Sequence, residues 1–156
     1  MDKIEILGGI LKRVGNFSMN SLEDRIVFQK TVYFLQTFGI NLNYDFSWYI
    51  RGPYCPILTD DGFILKDRIN KINEVCFKEK DLEVKFNNFI QFIGKRKNDS
   101  IWLEALASVH FLKTHFLTLS KDEIIKKVRD KQDYLSKDNV VEDAWYYLEA
   151  FNLMND

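Results

Sequence analysis

A nearly continuous apolar segment between residues 100 and 114 places the strongest constraint on the fold. Its apolar residues cover almost every side of a helical wheel: Ile101, Trp102, Leu103, Ala105, Leu106, Ala107, Val109, Phe111 and Leu112. A helix that is apolar all round is usually central and buried. No apolar run in the chain approaches the roughly 20 residues that a membrane span requires. We therefore expect this segment to be the central helix of a domain with no membrane association.

Apolar periodicity and helix-boundary signals predict the other helices around this segment. The predicted helices cover 3–14, 21–38, 57–72, 80–93, 100–114, 120–131 and 136–151. The predicted N-caps are Ser21, Ser120 and Ser136, with Asp99 or Ser100 before the central helix. Residues 75–77 are a candidate short strand. The predicted fold class is mainly α with minor β, in a single domain of residues 1–156 with about seven helices.

Residues 44–56 combine a strand pattern with a rigid turn. Apolar residues at 44, 46, 48 and 50 alternate with Asp45, Ser47 and Tyr49, which indicates a half-buried strand or hairpin near 43–51. Gly52 and Pro53 then interrupt the pattern, and both prolines of the chain lie within four residues. The segment has aromatic rings, a cation and a stiff turn, but no complete catalytic set. It therefore predicts binding and not catalysis.

The outward face of this segment is the predicted partner-binding surface. It consists of Tyr49, Arg51 and Tyr54 on the Gly52–Pro53 turn. Tyrosine and arginine dominate protein–protein hot spots, and they also stack on unpaired bases. The alternative is that the aromatic residues fill the core and the turn only reverses the chain. The sequence leaves both interpretations open.

The second helix is predicted to extend this surface with a polar strip that includes Arg25, Gln29 and Tyr33. An ordinary solvated helix face is the first alternative. In the second alternative, Gln29 and Lys30 hydrogen-bond the aromatic turn and hold it in place. Trp48 is then a supporting core residue of the turn.

Glu104 stands in the most apolar helix of the chain. A buried carboxylate is costly unless it is paired and hydrogen-bonded. One interpretation pairs Glu104 with Arg25, Lys30 or Arg51 as structural support for the turn. The other leaves it half exposed near the first helical turn, where the helix dipole favours an acid.

Recognised catalytic and cofactor motifs are missing from the sequence. There is no nucleophile elbow, phosphate-binding glycine loop or dinucleotide fingerprint. His110 and His115 are five residues apart, whereas a helical metal pair prefers four. Cys55 and Cys76 lack metal-ligand spacing, which favours a reducing, cytoplasmic compartment. We expect no cofactor, no metal and no enzymatic activity.

Two basic clusters support an alternative function, a nucleic-acid-binding regulator of winged-helix type. The cations concerned are Lys95, Arg96, Lys97, Lys126, Lys127 and Arg129. The formal net charge of −1 argues against broad charge-driven binding, although a local patch remains compatible with it.

Five segments in order resemble the small prokaryotic YwgA-like proteins, and more distantly the antitoxin domain known as Panacea, or SocA-like. They are residues 28–36, 44–54, 58–62 and 101–111, followed by Ala144 and Leu148. The resemblance implies a helical domain with winged-helix character and no established catalysis. It also implies partner binding in toxin control or in defence and mobile-element settings. The leading prediction is therefore an antitoxin-like module that docks a protein partner.

Overall fold

Helix α5 (Ser100–His115) forms the centre of the fold, and every residue from Trp102 to Leu112 is buried. The computed structural model describes residues 2–155. Within them it contains the elements α1 (Lys3–Val14), α2 (Leu22–Thr37), β1 (Ser47–Tyr49), β2 (Gly52–Tyr54), α3 (Pro56–Arg68), α4 (Lys80–Ile93), α5, α6 (Lys121–Arg129) and α7 (Val140–Ala150). The mainly α fold with a minor β component is confirmed.

Elements from both halves of the chain enclose α5. Helices α2, α6 and α7 and strand β2 all contact it. A single hydrophobic core contains buried residues from each of the seven helices α1 to α7. The all-round apolar pattern of this segment is explained by these neighbours, because each side of α5 faces a different element. No helix in the described part of the chain is long and apolar enough to span a membrane.

Side-chain caps begin three of the helices, α2, α5 and α6, where the sequence predicts. Ser21 Oγ accepts a hydrogen bond from the Asp24 amide at 3.0 Å. Ser120 and Glu123 form a reciprocal capping box. Asp99 Oδ1 accepts from the Trp102 amide at 3.1 Å, which identifies Asp99 as the cap of α5.

The start of α7 was predicted wrongly at Ser136. The residues 133–136 form a 3₁₀ turn, and Ser136 Oγ donates to the Asp133 carbonyl. Asp138 and Asn139 then adopt left-handed backbone angles, with φ of 57° and 56°, so the helix cannot begin before Val140. The short strand expected at 75–77 is also absent from the described structure. There, one backbone bond from the Val75 amide to the Gly9 carbonyl joins the loop to α1.

The minor β component is an antiparallel hairpin in which Tyr49 pairs with Gly52 and Ser47 with Tyr54. Gly52 and Pro53 were expected to end the strand pattern, yet they form the second strand. Ile50 lies at the tip between the strands and is 59% exposed, so its expected place on the buried face is wrong. Gly52 has φ of 92°, and its Cα faces Ser108 on α5 so closely that a Cβ would lie 2.4 Å from Ser108 Oγ. The hairpin is therefore seated directly on the central helix.

Candidate functional site

A cavity of about 320 Å³ lies between the hairpin tip and the beginnings of α2 and α3. We call it the hairpin groove. The described residues that line it are Leu22, Arg25, Ile26, Gln29, Lys30, Tyr49, Ile50, Arg51, Tyr54 and Thr59. The groove thus brings together the predicted turn residues and the first half of α2.

The described lining of the hairpin groove has cationic groups and apolar walls but no carboxylate. Its cations are Arg25, Lys30 and Arg51. Aliphatic side chains, two tyrosine rings and the neutral polar residues Gln29 and Thr59 form the rest of the wall. The rings of Tyr49 and Tyr54 stack with centroids 5.5 Å apart. Such a lining favours a ligand that is both apolar and anionic.

Two glutamines of α2 hold the hairpin segment in place. Gln29 Nε2 donates to the Cys55 carbonyl at 2.8 Å, and the Cys55 amide donates to Gln29 Oε1 at 3.0 Å. Gln36 makes the same pair of bonds with the backbone of Tyr44, both at 2.9 Å. The glutamines lie seven residues, or about two helical turns, apart on one face of α2. Each end of the segment 44–55 is therefore bound to the same rigid helix.

Lys30 contacts the hairpin from the buried side, facing the interior of the protein. Its side chain is 1% exposed, and Nζ donates to the Pro53 carbonyl at 3.0 Å. Burial lowers the pKa of Lys30 to about 7, against an opposing effect of the nearby Glu104 carboxylate. The alternative in which Gln29 and Lys30 hydrogen-bond the turn is what the structure shows.

Glu104 is also 1% exposed, which excludes the half-exposed alternative. Its Oε1 accepts a hydrogen bond from the Tyr134 hydroxyl at 2.7 Å, and the same hydroxyl accepts from Arg51 Nη1 at 2.8 Å. Its Oε2 has no hydrogen-bond partner within residues 2–155. Burial raises the pKa of this carboxyl group. The predicted direct pairing with a cation is therefore corrected to an indirect link, in which Tyr134 bridges Glu104 and Arg51.

Sequence reasoning missed both Tyr134 and Lys131, which join the hairpin to the α6–α7 connection. Lys131 Nζ donates to the Tyr49 carbonyl at 3.0 Å and lies 4.2 Å from the centre of the Trp48 ring. Trp48 in turn stacks on Phe111 of α5. The contacts of Lys131 and Tyr134 with the hairpin join residues more than 80 positions apart, and no local sequence pattern indicates them.

The structure divides the predicted partner-binding residues into two groups. Tyr49 is 58% exposed, and Arg51 and Tyr54 are partly exposed at the groove. Gly52 and Pro53 of β2 are buried beside α5, so they support the surface without being part of it.

The expectation that Arg25, Gln29 and Tyr33 form an exposed polar strip on α2 is wrong for Gln29 and Tyr33. Gln29 is 2% exposed and Tyr33 is also buried, because α2 is enclosed from Ile26 to Leu35. Tyr33 points to a different cavity, where its hydroxyl is 2.7 Å from His110 Nδ1. Arg25 and Gln29 both line the groove, and Arg25 Nη1 donates to the Met19 carbonyl at 3.1 Å.

Most of the cations proposed for nucleic-acid contact are engaged within the protein. Lys97 donates to the Val14 carbonyl at 2.8 Å. Arg96, Lys126 and Arg129 pair with Asp99, Asp130 and Glu142, respectively. Lys95 and Lys127 are exposed. Pairing with carboxylates reduces the charge available to phosphates, so these clusters do not favour the nucleic-acid alternative.

Residues 2–155 contain no group of three or more histidine, cysteine, aspartate or glutamate side chains placed to hold a metal ion. Cys55, inside the turn, has a buried thiol, whereas Cys76 is exposed.

Comparisons of the chain with protein-family models, with curated proteins and with solved structures gave no match. The resemblance to the YwgA-like proteins therefore stays a prediction. What the fold and the site define is a mainly helical domain with an anchored hairpin beside a cationic, apolar groove.

Proposed function

We propose that the protein is a non-enzymatic binding module that docks a protein partner on the hairpin tip and the hairpin groove. The observation that carries this proposal is the exposed tip on an anchored hairpin. Tyr49 and Ile50 are 58% and 59% exposed, although the surrounding segment is bonded to α2 at Tyr44, Pro53 and Cys55 and Gly52 is seated on α5. Large apolar side chains held outward in this way are typical of interaction surfaces.

Anchoring reduces the entropy cost of binding. A loop that is already held in one conformation loses little freedom when a partner docks. Here the hairpin segment is fixed by Gln29, Lys30 and Gln36 of α2 and by Lys131. The tip residues can therefore act as preformed aromatic and aliphatic anchors, with Arg51 available for a carboxylate or carbonyl of the partner.

The resemblance to YwgA-like and Panacea proteins guides the choice of partner. It favours a toxin or a component of a defence or mobile-element system, with this protein as an antitoxin-like regulator. Co-expression with the product of a neighbouring gene tests that choice, because an antitoxin restores growth that its toxin inhibits.

The docking site itself is tested by affinity capture with a charge placed at the tip. Ile50→Asp puts a carboxylate at the centre of the proposed interface but leaves the core intact. Leu117→Asp is the matched control, since Leu117 is 78% exposed just after α5 and is not part of the groove. We expect the partner to be lost with Ile50→Asp and retained with Leu117→Asp, at equal thermal stability. Capture of the same partner by both variants would show that the tip is not the docking site.

A further inference from the structure

The chemistry of the hairpin groove indicates which part of a partner enters it. Within residues 2–155, Arg25 and Arg51 each use a single guanidinium hydrogen bond, to the Met19 carbonyl and the Tyr134 hydroxyl. An arginine has five N–H donors and a protonated lysine has three. The cations of the groove therefore keep unused donors, while its described lining offers no carboxylate to engage them.

We propose that the hairpin groove binds the C-terminus of a peptide chain whose last residue is apolar. The terminal carboxylate would lie against the guanidinium groups of Arg25 and Arg51, which line the groove. The last side chain would contact the aliphatic wall formed by Leu22, Ile26 and Ile50. This proposal rests on the proposed function and specifies the part of the partner that is recognised.

The size of the groove favours a chain terminus over an internal acidic residue. A volume of about 320 Å³ is at the small end of ligand pockets, so the anion and the apolar group must be close together. In a C-terminal residue the carboxylate and the side chain share one Cα. In an extended segment an internal Asp or Glu and its apolar neighbour point to opposite faces. Residues two positions apart share a face but lie about 7 Å from each other, so a terminus presents the anion and the apolar group closest together.

The charges behind the groove are compatible with an anion. The Glu104 carboxylate favours the protonated form of Lys30 and so raises its pKa, whereas the charges of Arg51 and Lys131 lower it. Glu104 is directed to the Tyr134 hydroxyl. A carboxylate entering the groove would meet the guanidinium groups of Arg25 and Arg51, and charge-assisted hydrogen bonds to arginine are among the stronger polar interactions.

The test uses three fluorescein-labelled peptides and fluorescence polarisation. The first is Gly-Ser-Gly-Ser-Leu with a free carboxylate, the second is the same peptide as a C-terminal amide, and the third is Gly-Ser-Glu-Leu-Gly as an amide. We expect the free acid to bind at least about tenfold more tightly than either amide, as the loss of a charged hydrogen-bond partner implies. Equal affinity for the first two peptides, equal affinity for the first and third, or no saturation by the free acid would each overturn the proposal.

Two variants locate the peptide in the groove. Arg25→Gln should weaken binding of the free acid at least several-fold, with little effect on the amide. Lys127→Gln removes the same charge from an exposed residue of α6 outside the groove and should change neither. Equal weakening by both variants would contradict the assignment. If no peptide binds but partner capture still depends on Ile50, this inference fails and the proposed function stands. If the free acid binds but Ile50→Asp leaves partner capture intact, the proposed function fails on its own.

Discussion

The side-chain amide of Gln29 is hydrogen-bonded to both backbone polar groups of Cys55. Nε2 donates to the carbonyl at 2.8 Å, and the Cys55 amide donates to Oε1 at 3.0 Å. Gln36 repeats the arrangement on Tyr44 two turns later. These bonds satisfy backbone groups that have no strand partner within the hairpin. The two ends of the hairpin segment are therefore held by two glutamine side chains of α2, in addition to the bond from Lys30 to the Pro53 carbonyl.

Gln29→Leu roughly keeps the volume of the side chain, leaves the buried amide of Cys55 unpaired and leaves its carbonyl with only the Thr59 amide as a donor, at 3.4 Å. We expect a loss of about 2–3 kcal/mol in the free energy of unfolding, because an unpaired buried donor costs about 1–3 kcal/mol and the carbonyl also loses its shorter bond. Gln36→Leu is the matched control. Since Gln36 is only partly buried, water can replace its bonds, and we expect a loss of about 1 kcal/mol. Chemical denaturation measures both, and equal losses would contradict the role given to Gln29.

The buried Lys30 should make stability depend on pH. Its pKa is lowered from 10.5 to about 7 in the folded protein, so between these values the unfolded chain binds the extra proton. Stability from this group therefore rises with pH across that window and is flat below it. Comparison with Lys30→Met isolates the effect, because Lys131, Arg51 and Glu104 are present in both proteins. From about pH 7.5 to about pH 9.5 we expect wild type to gain more than about 1 kcal/mol relative to the variant. A constant difference would show that Lys30 remains protonated.

Glu104 should tolerate an isosteric amide better than truncation. Glu104→Ala removes the acceptor of the Tyr134 hydroxyl and the negative charge near Lys30, and we expect it to cost about 3–5 kcal/mol. Glu104→Gln keeps an oxygen that accepts the hydrogen bond from the Tyr134 hydroxyl. Burial raises the pKa of the Glu104 carboxyl group, which favours its neutral form, so an uncharged amide is a close substitute. We expect the Gln variant to lose less than half as much stability. Thermal unfolding that is unchanged by the Ala substitution would contradict this account.

The close approach of Gly52 to Ser108 predicts an interaction between their variants. Gly52→Ala places a methyl group 2.4 Å from Ser108 Oγ at a φ of 92°, and we expect a loss of about 2–4 kcal/mol. Ser108→Ala should be nearly neutral, because its buried hydroxyl has no partner in the described structure. In the double variant the contact is relieved and about 1–2 kcal/mol of backbone strain remains. A double-mutant cycle by denaturant unfolding measures the coupling, and simple additivity would contradict the contact.

Helix positions were largely predictable because their signals are local. Helices α1 and α4 begin and end at the predicted residues, and the caps at Ser21 and Ser120 are those that the sequence indicates. The start of α7 was missed because Ser136 resembles a cap, while two consecutive left-handed residues delay the helix. Left-handed backbone at Asp138 and Asn139 has only a weak sequence signal.

The candidate site was predictable in part. The aromatic turn and the role of Gln29 and Lys30 as its support followed from residue types on neighbouring elements. The bridge through Tyr134 and the contact of Lys131 with the hairpin depend on how distant segments meet in space. Periodicity also assigned Gln29 and Tyr33 to an outer face, but α2 is enclosed along most of its length. A helical wheel shows which residues of a helix share a face. It does not show whether another element of the fold covers that face.

Site-specific photo-crosslinking tests the central claim most directly. Ile50 and, as the control, Leu117 are each replaced by benzoylphenylalanine, and the protein is irradiated with its captured partner. The account predicts a covalent adduct from position 50 and none from position 117, with the adduct suppressed by excess free-acid peptide. A partner that co-purifies but is cross-linked equally from both positions, or from position 117 alone, would contradict docking at the hairpin tip.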